Sequence, residues 1–227
     1  MSHAYYHALS AARHFGGEWQ DYVEIERWLD QTKGHIADAR HRLLLHNDFG
    51  VGLCGTIFGE TLLRSSDGKH VAVSEVARRH VEEDFGGRVP AVEECFRRAP
   101  LEPWMQEARG FPTDALAARR FGGVPADYRE IRRWFERAEG LCPDGRARLL
   151  LTHTFGIFLC EQRFGAVLTR ASDGVPVPTR PVAEAYVLRV FRGRIPTASN
   201  LLEKVPLEAW MGARARPLSR EFGAPLK

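Results

Sequence analysis

The stretch AARHFGGEWQDYVEIERWL at residues 11–29 returns 106 residues later as AARRFGGVPADYREIRRWF at residues 117–135. The match continues without a gap, so that Ala11–Met105 aligns with Ala117–Met211 over most of the chain. Solenoid repeats usually run about 20 to 50 residues, so a repeat this long indicates a duplicated domain. The sequence therefore predicts two copies of one fold.

Length and composition are those of a globular protein. The chain has 227 residues, of which 44 % are hydrophobic and 27 % charged, and its formal net charge is +3. A chain of this length can bury one or two real hydrophobic cores, and disorder is not expected. The alignment divides it into a first repeat, residues 1–107, and a second repeat, residues 108–227.

The sequence predicts a cytoplasmic protein with no membrane-spanning segment. The N-terminus lacks a basic region followed by an apolar stretch, and no apolar run reaches the roughly 18 residues that cross a bilayer. The four cysteines form no CxxC pair, and Cys54 and Cys160 lie in apolar segments, so we expect reduced core thiols. Scattered arginines give slight basicity without a stripe of positive charge, so nucleic acid is not indicated as a partner.

Each repeat is predicted to be mainly helical with one small β-hairpin. Tyr22, Ile25 and Trp28 recur at helical spacing, whereas Ser65–Gly68 has the composition of a hairpin turn. The predicted elements of the first repeat are helices at residues 3–14, from an Asp21 cap to Gly34, at 37–58, at 75–84 and from Pro90, with a hairpin at 61–73. The same order is expected in the second repeat.

The third predicted helix suggests how the two repeats pack. Its second half, Phe49–Phe58, is apolar on nearly every side, and such a helix must be covered all round. Its glycines cost helix propensity, which close approach between helices would explain. We therefore expect the two repeats to pack as a pseudo-twofold dimer through their third helices, in a monomeric chain or a further dimer.

Comparison of the two repeats separates structural positions from candidate functional ones. Residues kept in both repeats are expected to supply caps, turn contacts and ion pairs, because both repeats must satisfy the same fold. These positions are Arg13, Asp21, Tyr22, Glu24, Arg27, Asp38, Arg40, Arg42, Arg64, Asp67, Arg88 and Glu102.

Histidines follow the opposite pattern, since eight of the nine lie in the first repeat and none of the eight is matched by histidine in the second. The eight are His3, His7, His14, His35, His41, His46, His70 and His80. At the matched positions His41 becomes Ala147, and His80 becomes Tyr186. The fold does not need these imidazoles, which is the pattern expected when one half of a duplication keeps a site.

Helical spacing selects a candidate metal-ligand set. His80 and Asp84 stand four residues apart on one predicted helix face, and Asp38 and His41 stand three apart on another. His46 lies about 140° around an ideal helix from His41, which favours His41 as the ligand. With one nitrogen from the first helix, the predicted ligands are His7, Asp38, His41, His80 and Asp84.

This nitrogen and oxygen set predicts a divalent transition metal, namely zinc, manganese, iron or nickel. A metal-bound water could then act as the nucleophile of a hydrolase on a small-molecule substrate, with His46 or Asp48 as general base. The first hypothesis is therefore a metal-binding protein with a possible hydrolytic site in the first repeat.

Several strings of the first repeat resemble a family of small bacterial and phage proteins, about as long as one repeat, that is classed as a domain of unknown function. They are Tyr6–Ser10, Phe15–Gly17, Asp21-Tyr22, Trp28–Asp30, Asp38–Arg42, His46, Phe58-Gly59, His80 and Glu83-Asp84. The resemblance covers almost all of the first repeat and, more weakly, the second, where Arg146–Arg148 and Ala185-Tyr186 depart from its pattern. It implies no activity, but it implies that four histidines are typical of the family: His7, His41, His46 and His80.

One alternative to a metal site stays open. The histidines can form a buried polar network that only orders the first repeat. In that case the chain is a non-enzymatic scaffold, and an arginine-rich helix face is its candidate surface for a protein partner: Arg129, Arg132, Arg133 and Arg137.

Overall fold

The computed structural model describes residues 4–106 and 114–212. The chain divides into two compact units: unit 1 is drawn from Met1–Ala91 and Leu207–Lys227, and unit 2 is Val92–Pro206. Within the described residues, the strands form one short antiparallel pair in each unit and the remaining elements are helical. The predicted fold class, mainly α with a small hairpin in each of two tandem copies, is confirmed.

Unit 1 contains the first five helices and the first hairpin. Their bounds are α1 (Ala4–Phe15), α2 (Val23–Asp30), α3 (Arg42–Leu45), α4 (Asp48–Phe58), β1 (Thr61–Leu63), β2 (His70–Ala72) and α5 (Val73–Asp84), with 3₁₀ turns at Trp19–Asp21, Gln31–Gly34, Ala39–His41 and Ala209–Gly212. Helix α5 packs against α1, α2 and α4. Its face toward them is therefore buried, and that face carries Val76, Ala77, His80, Val81 and Asp84.

Unit 2 repeats the hairpin and the helices packed around it, and within its described residues it has three further short helices. Its elements are α6 (Val92–Phe96), α7 (Pro103–Gln106), α8 (Asp114–Phe121), α9 (Arg129–Glu136), α10 (Thr154–Phe164), β3 (Val167–Thr169), β4 (Pro176–Pro178), α11 (Thr179–Val190) and α12 (Ala198–Leu202), with 3₁₀ turns at Pro125–Tyr128 and Arg146–Leu150. Helix α11, the counterpart of α5, packs against α8, α9 and α10. The strand registers also match, since Leu62 pairs with Val71 and Leu168 with Val177.

The sequence predicted that Asp21 caps α2, and this prediction is wrong. Asp21 instead joins the hairpin to the turn before that helix. Its carboxylate accepts hydrogen bonds from the Glu18 backbone N–H at 2.9 Å and from the Ser66 hydroxyl at 2.5 Å. Asp127 makes the equivalent bonds in unit 2. Helix α2 starts later, at Val23. Asp21 is thus a turn contact, which agrees with its presence in both repeats.

A second pair of matched residues links the hairpin to the first helix of each repeat. Arg170 donates to the Phe121 carbonyl at 2.7 Å and to the Asp173 carboxylate at 2.6 Å. Arg64 makes the same two kinds of hydrogen bond in unit 1. The positions that both repeats keep therefore include contacts on which this fold depends.

The predicted third helix, residues 37–58, is not continuous. Helix α3 ends at Leu45, and α4 begins at Asp48. Between them, Asn47 accepts a hydrogen bond from the Gly50 backbone N–H at 2.9 Å and donates one to the Leu43 carbonyl at 2.8 Å. The Asn47 side chain therefore caps the start of α4 while it holds the end of α3, which turns the chain at this point.

Gly50 is required by this turn. A Cβ at Gly50 would lie 2.0 Å from the Leu45 carbonyl oxygen, whereas a Cβ at Gly52 would meet nothing within 4 Å. The counterpart Gly156 faces the Leu151 carbonyl in the same way. Close approach within one unit thus explains Gly50, where the sequence had suggested approach between helices of the two repeats. The pseudo-twofold packing of the repeats stays a prediction.

The four cysteines are free and buried, as predicted. Burial raises the pKa of the Cys142 thiol to about 11, and it also raises the pKa values of Cys54 and Cys160. These thiols are therefore protonated at neutral pH. Among residues 4–106 and 114–212, no helix combines the length and the apolar character needed to cross a bilayer.

Gly50→Ala and Gly52→Ala form a matched pair that tests the turn. We expect Gly50→Ala to lower the free energy of unfolding by more than about 4 kcal/mol, because the methyl group meets backbone that cannot move aside. Gly52→Ala should raise it by about 0.5 to 1 kcal/mol, because alanine loses less backbone entropy in a helix. Urea unfolding followed by tryptophan fluorescence measures both, and equal midpoints would contradict this account of the turn.

Candidate metal centre

Four segments of unit 1 bring histidines and carboxylates together. The group, named here the His80 cluster, consists of His7 on α1, Glu26 and Asp30 on α2, His46 after α3, and His80, Glu83 and Asp84 on α5. Asp30 and Glu83 are half-buried and the other five are buried. The predicted i, i+4 spacing of His80 and Asp84 does place both on the inner face of α5.

Both ring nitrogens of His80 are engaged. Its Nδ1 lies 2.5 Å from Glu26 Oε2, and its Nε2 lies 3.1 Å from His46 Nε2. The Nε2 atom is also 3.7 Å from Asp30 Oδ1. His80 thus has a hydrogen-bonded side toward Glu26 and a second side on which another imidazole and a carboxylate converge.

Three atoms on that second side form a nearly regular triangle. His46 Nε2 and His80 Nε2 are 3.1 Å apart, and Asp30 Oδ1 lies 3.7 Å from each of them. The circumradius of a triangle with these sides is about 2.0 Å, which equals the length of a zinc–imidazole bond. Asp30, His46 and His80 therefore form a group that could hold one metal ion.

His7, Glu26 and His80 form a second group of this kind, with ligand atoms within 4.8 Å of one another. Within it, the 2.5 Å contact between Glu26 and His80 is too short for two atoms bound to one ion, which stand about 3 Å apart when the bonds are about 2.1 Å long. That contact is a hydrogen bond. Glu26 therefore orients the His80 ring.

Asp84 connects the cluster to its other charged neighbours. Its Oδ2 lies 3.4 Å from His46 Nε2 and 3.1 Å from the Arg42 guanidinium, and its Oδ1 lies 3.7 Å from His7 Nε2. His7 Nδ1 is 2.9 Å from Glu83, and the His7 ring lies 4.1 Å from that of His80. Within the described residues, His7 Nε2 and His46 Nδ1 are buried without a hydrogen-bond partner.

Burial determines the protonation of two of the histidines. It lowers the pKa of His46 to about 4 and that of His41 to about 3, so both rings are neutral at neutral pH. Burial also disfavours the charged form of His80, but its hydrogen bond to Glu26 and the nearby charge of Asp30 outweigh burial and raise its pKa. A neutral His46 presents a lone pair that a cation can accept.

Three carboxyl groups of the cluster, those of Asp30, Glu83 and Asp84, are ionised. Burial acts to raise the pKa of Asp30 and of Asp84, but interactions with His46 and His80 outweigh it and lower both values. The pKa of Glu83 is lowered in the same way by its hydrogen bonds to His7 and Ser10. The centre therefore combines neutral imidazole nitrogen with carboxylate oxygen, the donor types that transition metals accept.

Four of the residues proposed from the sequence meet in this cluster: His7, His46, His80 and Asp84. Asp38 does not, because its carboxylate caps the 3₁₀ turn at the Arg40 backbone N–H, 2.9 Å away, and pairs with the Arg40 guanidinium. Asp48 is exposed at the start of α4 and accepts from the Phe49 N–H. Neither the predicted ligand Asp38 nor the predicted base Asp48 is available to the centre.

His41 and His46 exchange the roles that helical geometry had suggested. His41 Nδ1 lies 3.3 Å from the Thr32 hydroxyl, and its ring centroid is 5.6 Å from that of His46. His46 has φ −94° and ψ 55°, outside helical values, because the chain turns there. The cluster contains His46 and not His41, so the structure reverses the preference for His41 that the helical angle had suggested.

Sequence reasoning missed Glu26, Asp30 and Glu83. A signal for two of them was present, since Glu26 is matched by Arg132 and Glu83 by Arg189, a reversal of charge at each position. Asp30 gave no such signal, because its counterpart is also acidic.

The second repeat fills the corresponding space differently. Tyr186, the counterpart of His80, donates to Asp114 at 3.2 Å, and Arg132, the counterpart of Glu26, pairs with Asp114 and with Glu136. Glu136 is the counterpart of Asp30. In unit 2 a fixed guanidinium therefore neutralises the matching carboxylate.

The arginine-rich face proposed as a docking surface is largely paired. Besides Arg132, Arg133 lies 2.8 Å from Glu130, and the Arg137 guanidinium lies 5.0 Å above the Trp134 ring. These contacts are those of a solvated helix face.

Comparison with known proteins identifies the family but no activity. No curated protein matches the chain, and no solved structure matches it either. A family model described as "Domain of unknown function (DUF6915)" matches twice, at residues 2–105 and 113–211. The chain therefore belongs to this family of unknown function, of which it carries two copies in tandem.

Proposed function

We propose that the first repeat is a cation-binding domain in which Asp30, His46 and His80 hold one divalent transition-metal ion. The observation that carries this proposal is the triangle of their three ligand atoms, whose circumradius of about 2.0 Å equals a metal–ligand bond length. The protonation of two of its members agrees, since His46 is neutral and Asp30 ionised at neutral pH.

Zinc fits this donor set well. Two imidazole nitrogens and one carboxylate oxygen are common zinc ligands at about 2.0 to 2.2 Å, and nickel, iron or manganese accept the same atoms. A fourth ligand can be water or Asp84, whose Oδ2 lies 3.4 Å from His46 Nε2. That separation is close to the edge of about 3.3 Å expected in a tetrahedral zinc site.

The surroundings of His80 support the proposal. Histidines bound to metals usually donate their other ring N–H to a carboxylate, which fixes the tautomer and aims the free nitrogen at the ion. Glu26 is placed to do this for His80, at 2.5 Å and fully inside the protein. Ring orientation is therefore set before any ion binds.

The second repeat differs from the first at the position of Glu26. There Arg132 lies 2.5 Å from Glu136 and 3.0 Å from Asp114, so a guanidinium pairs with both carboxylates. In the first repeat Glu26 replaces that arginine, and Asp30 Oδ1 pairs instead with Lys33 Nζ at 2.5 Å. An ion at the triangle would therefore share Asp30 with the Lys33 ammonium.

Burial favours binding over hydrolysis. The side chains of His46, His80 and Asp30 are 0 %, 0 % and 11 % exposed, whereas a hydrolytic site keeps a coordination position open to substrate. The hydrolase reading also loses its base Asp48, which lies outside the cluster. We therefore assign the ion a role in ordering unit 1.

One observation favours the alternative of a polar network without metal. The pKa of His80 is raised, and an imidazolium at His80 can donate one N–H to Glu26 and the other to His46. The 3.1 Å contact between His80 Nε2 and His46 Nε2 is then a hydrogen bond, with a proton between the two nitrogens in place of a metal ion. The two candidates differ in whether added metal and chelators change the stability of the protein.

Binding of zinc to the untagged chain tests the proposal. We expect one zinc ion per chain by isothermal titration and by elemental analysis, and a rise of about 2.7 kcal/mol in unfolding free energy at a zinc concentration 100 times the Kd. His46→Ala and Asp30→Asn should each weaken binding about 100-fold or more, because each removes a ligand. Asp38→Asn is the control and should leave the affinity unchanged. Stability that ignores both zinc and chelator would support the proton-linked network.

The Glu26→Gln variant tests whether Glu26 orients the His80 ring and strengthens it as a ligand. The amide keeps an acceptor for His80 but loses the charge that makes the imidazole a stronger ligand, so zinc affinity should fall about tenfold while the fold is retained. Glu24→Gln is the matched control, because Glu24 is exposed on the same helix. Equal affinities for the two variants, measured by competition with a chromogenic chelator, would exclude the orienting role.

A further inference from the structure

The two units assemble the same four-residue contact from different parts of the chain. In unit 1, Arg42 and Phe85 of the first repeat contact Trp210 and Met211 of the second. In unit 2, the counterpart residues of the second repeat, Arg148 and Phe191, contact Trp104 of the first. Each compact unit therefore contains the terminal segment of the other repeat. The terminal segments are residues 101–106 and 207–212.

The contacts in unit 1 are buried and specific. Arg42 donates from Nη1 to the Met211 carbonyl at 2.7 Å, and its guanidinium lies 5.3 Å above the Phe85 ring. The rings of Phe85 and Trp210 lie 5.7 Å apart. Met211 is fully buried, and Arg42 and Phe85 are less than 8 % exposed. Without residues 207–212 the Arg42 guanidinium would lose its carbonyl acceptor and part of its cover.

Unit 2 repeats the arrangement with the segment of the first repeat. Arg148 donates to the Trp104 carbonyl at 3.2 Å, and the rings of Trp104 and Phe191 lie 4.8 Å apart. The Met105 carbonyl comes so near Gly145 that a Cβ there would lie 2.1 Å from its oxygen. Two independent contacts related by the repeat therefore show the same exchange.

Only in unit 1 does this contact reach the candidate metal centre. Arg42 also pairs with Asp84 at 3.1 Å, and Asp84 lies 3.4 Å from His46. In unit 2 the counterpart of Asp84 is Val190, and Arg148 pairs with Glu139 instead. The terminal segment of the second repeat is thus linked to His46 through two residues, Arg42 and Asp84.

We propose that the segment 207–212 of the second repeat is a docked partner of the first repeat and positions the His80 cluster through Arg42 and Asp84. The interaction surface is the Arg42 and Phe85 pair, and the partner that it fits is the Trp-Met end of a second copy of the repeat. The effect on metal affinity rests on the function proposed above. The docking itself does not.

Trp210 and Trp104 provide a matched pair of full-length variants. Trp210→Ala should weaken zinc binding about tenfold, the effect usual for residues that support a ligand, and speed amide exchange around Arg42 and Phe85 at least tenfold. Trp104→Ala should leave both quantities within about twofold of the natural chain, and should speed exchange around Arg148 instead. Trp210→Phe should restore the zinc affinity, since an aromatic ring again covers Phe85.

The two readouts distinguish the two proposals. If the natural chain binds no zinc, the proposed function fails, and amide exchange alone decides the docking. If zinc binds but Trp210→Ala leaves exchange around Arg42 unchanged, the docking fails and the metal centre stands. Equal effects of Trp210→Ala and Trp104→Ala at the His80 cluster would also overturn the proposal, because general destabilisation would then explain both.

Discussion

The buried hydrogen bond between Glu26 and His80 is the contact on which the first repeat depends. It fixes the imidazole between α2 and α5 and turns its second nitrogen toward His46 and Asp30. Because the interior screens charge weakly, a buried acid and imidazole in contact stabilise each other and are costly to separate. The packing of α5 against three helices holds this arrangement. The His80 cluster therefore lies on the same helix face that packs into the core of unit 1.

The two repeats neutralise their carboxylates in different ways. The second repeat neutralises its inner carboxylates with Arg132 and replaces the central imidazole with Tyr186. The first keeps ionisable side chains, of which Asp30 pairs with Lys33 and Asp84 with Arg42. In the proposed function, a metal ion lies among them. The exchange of terminal segments places residues of each repeat in the compact unit of the other. In the further proposal, residues 207–212 of the second repeat position the cluster of the first.

The sequence predicted the parts that depend on local pattern. Residue spacing predicted the duplication, the helical class and the inner face shared by His80 and Asp84. Local composition predicted the hairpin at Ser65–Gly68. The break between α3 and α4 could not be predicted from spacing. It depends on the hydrogen bonds of the Asn47 side chain and on the close approach of Gly50 to the Leu45 carbonyl, which only the structure shows. His46 lies at that break and belongs to the cluster. Glu26 and Asp30 reach it because α2 packs on α5, a contact that no local pattern contains.

Anomalous diffraction at the zinc absorption edge, from crystals of the untagged chain grown with zinc, tests the central claim most directly. We predict one anomalous peak about 2 Å from His46 Nε2, His80 Nε2 and Asp30 Oδ1, and none beside Tyr186 and Glu136 of the second repeat. A map without a peak in the His80 cluster would contradict the metal centre. Peaks of equal height in both repeats would contradict the asymmetry from which it was inferred.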